Sequence, residues 1–262
     1  MRGNQTDPSS VPERNFEDYL PKLLQLPFER QMEKYRRLKI SEVVAGLGPL
    51  EQFRILDVGI GLHPVSRCLR GLPQSLVLVD PIESLIQEDQ RRFPDSSCEY
   101  FNGTVENFPS AMVPDDGFNL VLLSSVLHEA SDGSAMLQAL KSIMSPEGIL
   151  LVVVPNRFSI HRILGVHMGL LGSLEDRTVT ENLMVQSPAY SQESLQELLD
   201  QSGFREFESV THFFKPLTHQ QFQTAIDSNQ ISPHDLDSYS RLGDLLDGFG
   251  AEIVSLAKRD GS

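Results

Sequence analysis

Two acids and two glycines form the first group in this 262-residue chain with the types and spacing for ligand chemistry: Asp57, Gly59, Gly61 and, roughly twenty residues on, Asp80. The stretch Arg54-Ile-Leu-Asp-Val-Gly-Ile-Gly-Leu-His63 opens on an apolar run, 55–58, which predicts a buried parallel strand. Glycines at 59 and 61 permit a tight turn and let a ligand approach the backbone without a Cβ in the way. Pro64 suits the first turn of a helix, and 65–69 continues with helical spacing. Strand, glycine loop and helix would set free N–H groups and a helix N-terminus beneath an adenosine-type ligand. A dinucleotide fingerprint asks for a third glycine, and that position is Pro64.

The next strand, 76–80, ends in Asp80. A carboxylate there offers two acceptor oxygens that match the cis-diol of a ribose. In the competing reading, Asp80 caps a helix predicted over 81–92. A further strand, 118–124, leads into Ser125-Val-Leu-His-Glu129. Residues just past the carboxyl end of a central strand face the crevice where ligands bind. Ser124 and His128 are therefore expected at that crevice. A histidine can take a proton near neutral pH, so His128 is a candidate general base, with a hydrogen-bonded structural role as its alternative.

The elements that must hold these residues follow from periodicity. Residues 1 to about 12 are polar with two prolines and are expected to be disordered. From 16 to 47 the spacing is helical, broken at Pro27 and ended by Gly46, Gly48 and Pro49. Tyr19, Leu20, Leu23, Leu24 and Leu26 form one apolar cluster. Met32, Tyr35, Leu38, Ile40, Val43 and Val44 mark the inner face of the second helix. Its other face, with Arg30, Lys34, Arg36, Arg37 and Lys39, reads as solvated, or in part, together with Tyr35, as a lid over the ligand pocket. Strands are predicted at 98–101, 149–154, 206–213 and 251–258, with an amphipathic helix at 132–144 and a turn at 145–148. Residues 157–190 mix Arg157, His161, Arg162, His167 and Arg177 with apolar side chains; a helix then starts behind Ser191 and Ser194. Residues 217–247 form another helical addition, read as a second wall of the substrate pocket or a dimer face. The expected class is α/β: a Rossmann-like, seven-stranded, mostly parallel sheet with helices on both faces, N-terminal helices, and helical insertions; that the insertions form a substrate cap and the N-terminal helices a lid is what the family resemblance given below implies. The division is an N-terminal helical lid at 1–48 and a main domain at 49–262 with insertions at about 157–190 and 215–247.

Composition narrows the partners. A formal charge of −14 argues against nucleic acid and against an anionic membrane surface. No apolar run reaches the ~18 residues of a membrane helix. The polar start, residues 1–7, lacks the apolar stretch of a secretion signal, so a cytoplasmic location is expected. Cys68 and Cys98 read as buried free thiols. No Cys/His spacing suits zinc, and no metal is expected. A small-molecule partner, and a monomer or homodimer, are expected.

With Asp57 counted, the glycine loop reads D-x-G-x-G and resembles motif I of the class I S-adenosylmethionine-dependent methyltransferases, [DE]-x-G-x-G-x-G, with His63 at the last glycine. Asn102-Gly-Thr-Val-Glu-Asn-Phe-Pro109 is similar to the family's G-D-A-E-x-L-P segment. Residues 118–129 resemble F-D-x-V-x-x-x-x-V-L-H-H, and 190–204 resemble Y-[ST]-x-x-x-L-x-x-L-L-x-x-x-G-F. The resemblance implies S-adenosylmethionine as cofactor. It puts Asp57, Gly59, Gly61 and His63 at the loop, Asp80 and Pro81 at the ribose, and Ile82 beside the adenine. Thr104, Val105 and Glu106 fall on the turn that reads the adenine edge, and Ser124 near the methionyl part. Tyr35 would lid the pocket. His128, Glu129 and Tyr190 form the candidate catalytic set, and His128, Arg157, His161, His167 and Tyr190 the candidate substrate contacts. The implied function is methyl transfer to oxygen or nitrogen of a small molecule in natural-product or sugar-nucleotide biosynthesis. The alternatives are a non-catalytic methyltransferase-like scaffold and a nicotinamide oxidoreductase.

Overall fold

The apolar runs of the sequence become the middle of one sheet. In the computed structural model, which describes residues 21–22, 26–94, 96–184, 186–187 and 189–260, seven strands are present. They are β1 (Arg54–Val58), β2 (Ser75–Asp80), β3 (Glu99–Asn102), β4 (Phe118–Ser124), β5 (Met144–Pro155), β6 (Phe204–His212) and β7 (Glu252–Arg259). Their order is β3-β2-β1-β4-β5-β7-β6. The strands β1 to β5 pair parallel, and β7 runs antiparallel between β5 and β6.

Alternation along the strands sorts the core into two layers, because successive side chains point to opposite faces. Leu56, Val58, Val121, Leu123, Leu150 and Val152 bury one face beneath α3 (Gly133–Ile143) and α6 (Gln192–Gln201). Ile55, Leu120, Leu122, Leu151 and Val153 bury the other against Ile40 and Val44 of α1 (Glu29–Leu47). On that second face, Leu85 and Ile86 of α2 (Glu83–Arg92) cover Leu78. Burial on both sides is why these strands read as continuous apolar runs.

Several expectations change in the structure. The helix expected after the glycine loop is a single 3-10 turn, Val65–Cys68. Leu69 is already extended, and Gly71 adopts a left-handed φ of +109° two residues before Pro73, so the chain turns back before an α-helix can grow. The helix after Asp80 starts at Glu83, two residues later than expected. The 145–148 turn lies inside β5, where the register jumps from Phe118↔Met144 to Leu120↔Ile149 and the extra residues bulge out. On α1, Leu38 is exposed, whereas Arg36, read as part of a solvated face, is buried. Tyr19, Leu20, Leu23 and Leu24 lie outside the described residues. Cys68 and Cys98 are free and only half-buried.

The insertions carry α4 (Ile160–His167) and α5 (Val179–Met184) after β5, and α7 (His219–Asp227) and α8 (Pro233–Leu245) after β6. The second pair shares a core with the N-terminal helix: Phe28, Met32 and Tyr35 pack on Phe213, Phe222 and Leu236. Phe28 stacks on Phe222 with centroids 4.6 Å apart. Segments far apart in the chain, 28–35 and 213–236, therefore build one cap over the sheet.

Candidate active site

The strand order reverses between β1 and β4, and the crevice above such a switch point is where open α/β sheets bind ligands. A cavity of about 1250 Å³ opens there. That exceeds the usual several hundred Å³ of a single small-ligand site, so a cofactor and a second molecule have room side by side.

Its first end is built on β1 and β2. Gly59 and Gly61 have φ of +85° and +56°, and a Cβ on Gly59 would lie 2.4 Å from a methyl of Val126. Asp80 is 4% exposed and lines the cavity. One of its oxygens accepts the Ile60 N–H and the other the Ile82 N–H, both at 2.8 Å. Each oxygen keeps a lone pair for a diol, because a carboxylate has about four acceptor sites. Burial pushes the Asp80 carboxyl up, against the backbone hydrogen bonds from Ile82 and Ile60. His63, Pro81, Ile82, Thr104, Val105 and Glu106 also line this end. Asp80 does not cap α2, and Thr104 makes no side-chain cap on the turn it precedes. His63 is exposed, and its Nδ1 lies 2.7 Å from Arg92. An acid that braces the loop while facing a cavity, beside two glycines in left-handed conformations of which Gly59 has no room for a Cβ, fits an adenosine-type cofactor.

The middle is the end of β4. Ser124 is buried at the cavity, and Ser125 takes a left-handed φ of +59° while its N–H donates to Val153. A non-glycine residue in that region carries strain of the kind found at functional sites. His128 and Glu129 follow in a 3-10 turn, and both line the cavity. The insertion is fastened to this turn: Ser187 donates to the His128 carbonyl and Gln186 to Glu129 at 3.1 Å.

The far end lies over β5 and β7, under the cap. Leu164, Met168, Leu170, Leu171, Val179 and Met184 make it apolar. Behind them is a charged wall. Arg36 bonds Glu252 and Glu29, and Arg162 grips Glu181 at 2.8 and 2.9 Å. His219 reaches Glu29 at 3.1 Å and Lys215 at 3.1 Å. Burial pushes Glu29 up, but His219 and Arg36 outweigh it and hold the carboxyl below the usual range. Burial drives His161 well below the ordinary imidazole value, helped by the charge of Lys215.

Of the residues expected here, His161 stands at the cavity, but five others do not. Asp57 is fully buried beneath the loop and accepts the Ser66 N–H at 2.7 Å, so it shapes the turn rather than facing a ligand. Tyr35 is packed against Phe213 with its hydroxyl on Asp237 at 2.6 Å; the same helix lines the cavity through Met32, Arg36 and Arg37 instead. Arg157 turns to the Ala189 carbonyl at 3.0 Å, and His167 is exposed outside the cavity. Tyr190 is held by a bridge to Asn156 and packs on the α3/α6 core, where burial raises its hydroxyl.

Sequence reasoning missed Lys215, His219, Glu29 and Glu252, all at the cavity; of the basic face that had a lid as its second reading, Arg36 and Arg37 line the cavity. Arg37 has a buried Nε without a hydrogen-bond partner and lies within electrostatic reach of His63 at the glycine loop. A signal existed for it: a basic residue seven positions, two helical turns, before the apolar Val44.

Comparison with known proteins agrees with this layout. A family profile described as "Methyltransferase domain" matches residues 16–209. A ubiquinone biosynthesis O-methyltransferase of Azorhizobium caulinodans is 30% identical over 113 residues, 42% of this chain and 44% of that protein. Its mitochondrial counterpart from Bos taurus is 24% identical over 177 residues, 65% of this chain and 46% of that protein. The chain thus spans about half the length of these relatives. Among solved structures, an S-adenosylmethionine-dependent methyltransferase of Thermotoga maritima, a possible histamine N-methyltransferase, has TM-score 0.60 at 20% identity, covering 93% of this chain and all 100% of that one. The N-methyltransferase NodS of Bradyrhizobium japonicum, in complex with S-adenosyl-L-homocysteine, has TM-score 0.54 at 13% identity, over 92% and 98%. At those identities the likeness is one of fold. With the family match covering most of the chain, the nicotinamide alternative falls: the chain belongs to the class I S-adenosylmethionine-dependent methyltransferases, and S-adenosylmethionine is its cofactor.

Proposed function

We propose that this protein transfers a methyl group from S-adenosylmethionine to an oxygen of a small molecule with an apolar body, as a step in a biosynthetic sequence. The observation that carries this reading is the single cavity running from Asp80 and the glycine loop, past His128, to the apolar face of the 157–190 insertion. The names of the relatives favour oxygen over nitrogen. Asp80 would hold the ribose, the Val105 N–H the adenine edge, and Arg37 the methionyl carboxylate. The cofactor supplies a methyl group already activated on a sulfonium. The protein's task is then alignment and exclusion of water, effects worth up to about 7–11 kcal/mol in well-oriented reactions. The cap formed by α1, α4, α5 and α7 provides the exclusion. His128, at the seam, would accept the hydroxyl proton of the acceptor. No helix among the described residues is long and apolar enough to cross a membrane.

The test is release of S-adenosylhomocysteine with a panel of phenols, alcohols and amines. Turnover with hydroxyl acceptors is expected. Turnover with amines alone would move the reading to nitrogen. Tight cofactor binding without turnover on any acceptor would favour a scaffold.

A further inference from the structure

The charged wall contains three cations, and they are not equally matched. Arg36 has Glu252 and Glu29, and Arg162 has Glu181 together with the carbonyls of Leu174 and Asp176. Lys215 has no such partner. Among the described residues its one hydrogen bond goes to the Nδ1 of His219, and it forms no ion pair with a carboxylate. The Nε2 of His219 is turned to Glu29, so the imidazole takes the carboxylate that could have neutralised the ammonium. Lys215 is nevertheless 3% exposed, and it lines the cavity. Beside it, also at the cavity, His161 has a buried Nδ1 without a partner.

A buried charge is normally paired, because desolvation of a lone ion costs several kcal/mol. Here burial pushes Lys215 down to about 8, against the attraction of Glu29, Glu252 and Glu181. The groups facing it are Glu29 and Arg36 from α1, Glu252 from β7 and His219 from α7. From the 157–190 insertion come His161, Arg162 and Glu181. None makes the missing pair, and a ligand anion would. The position separates this site from the cofactor end. Glu252 pairs with Pro155 at the top of β5, whereas Asp80 ends β2 on the other side of β1 and β4. The glycine loop has its own cation, Arg37.

We propose that Lys215, with His161 beside it, is the docking point for an anionic oxygen group of the methyl acceptor, a carboxylate or a phosphate, and that it selects acceptors carrying one. This rests on the methyltransferase reading only for the identity of the ligand as acceptor, so cofactor binding is measured first. Calorimetry with S-adenosylhomocysteine tests that reading by itself. The protein saturated with S-adenosylhomocysteine is then titrated with benzoate, phenyl phosphate and neutral benzamide. At least one anion should bind ten times tighter than benzamide. Lys215→Met should abolish that preference, while Lys215→Arg retains it. In wild type, ¹³C-lysine NMR should show one low-titrating lysine whose pKa rises by a unit or more when the anion binds. That readout decides the matter even if Lys215→Met does not fold. Benzoate preferred over phenyl phosphate names a carboxylate site, and the reverse a phosphate site. Equal binding of all three probes, or a lysine that no anion moves, overturns the proposal. So does a shift produced in full by S-adenosylhomocysteine alone, which would assign Lys215 to the cofactor's carboxylate.

Discussion

Asp57 accepts a hydrogen bond from the backbone N–H of Ser66 at 2.7 Å, closing the glycine loop from below, while its other oxygen is buried without a partner. Burial pushes this carboxyl up to about 6. The native state therefore binds the proton more tightly than the unfolded chain, whose aspartate titrates near 3.9. Stability contributed by protonated Asp57 is present at low pH and is lost as pH rises through about 4 to 6. Asp57→Asn keeps an acceptor for Ser66 and removes the buried charge. It should stabilise the protein at pH 7 by about 1–3 kcal/mol and flatten the stability profile between pH 4 and 6. Urea unfolding across that range checks it. Unchanged or lower stability at pH 7 would show that the charge is needed.

Arg36 ties α1 to the sheet through Glu252 and to its own helix through Glu29. Removing one member of such a buried set leaves the other charge stranded, at about 3–5 kcal/mol. Arg36→Leu should lower stability by that amount and release α1, which hydrogen exchange would register as lost protection over Glu29–Leu47. Protection unchanged along that helix would contradict the account.

Lys215 gives the opposite sign. Its pKa is about 8 when folded, well below the ordinary lysine value of about 10.4. The cost of burying the charge is fully present below pH 8 and fades as pH rises toward 10. Up to about 3 kcal/mol is released in Lys215→Met, less about 1–3 kcal/mol for leaving the His219 Nδ1 unpaired. The variant should melt at or above the wild-type temperature at pH 7, and its advantage should vanish by pH 9.5. A large loss of stability at pH 7 would mark Lys215 as a structural cation.

For His128 the outcome separates two roles. As the base for an acceptor hydroxyl, its loss in His128→Ala should lower kcat by about 100-fold or more and leave cofactor affinity intact. Full turnover at every pH would leave the imidazole a structural role; the bonds from Ser187 to the residue 128 carbonyl are kept by the alanine variant and do not bear on that outcome.

What could be read from the chain divides along sequence distance. The β1–glycine–β2–Asp80 unit is local, and its glycines, apolar runs and terminal acid were legible. Five residues of helical spacing after the loop were too few to tell an α-helix from the 3-10 turn that forms. Tyr35 looked like a lid residue because its partners, Phe213 and Phe222, belong to the opposite end of the chain. The charged wall was invisible for the same reason: His219 and Glu29 stand 190 residues apart. Arg157 and Tyr190 stand where the two ends of the insertion are pinned to each other: the Arg157 guanidinium goes to the Ala189 carbonyl, and the bridge from Tyr190 to Asn156 turns its ring onto the core.

The central claim is that Asp80 and the glycine loop it braces hold S-adenosylmethionine. Calorimetric titration of S-adenosylhomocysteine into wild type and Asp80→Ala tests it most directly, with Asp57→Asn as the control acid. Hydrogen bonds to a charged acceptor contribute about 1.5–3 kcal/mol each, so Asp80→Ala should weaken binding by about 10- to 100-fold or more, and Asp57→Asn by less than threefold. Equal affinity in wild type and Asp80→Ala, or no binding to wild type at all, would contradict the account.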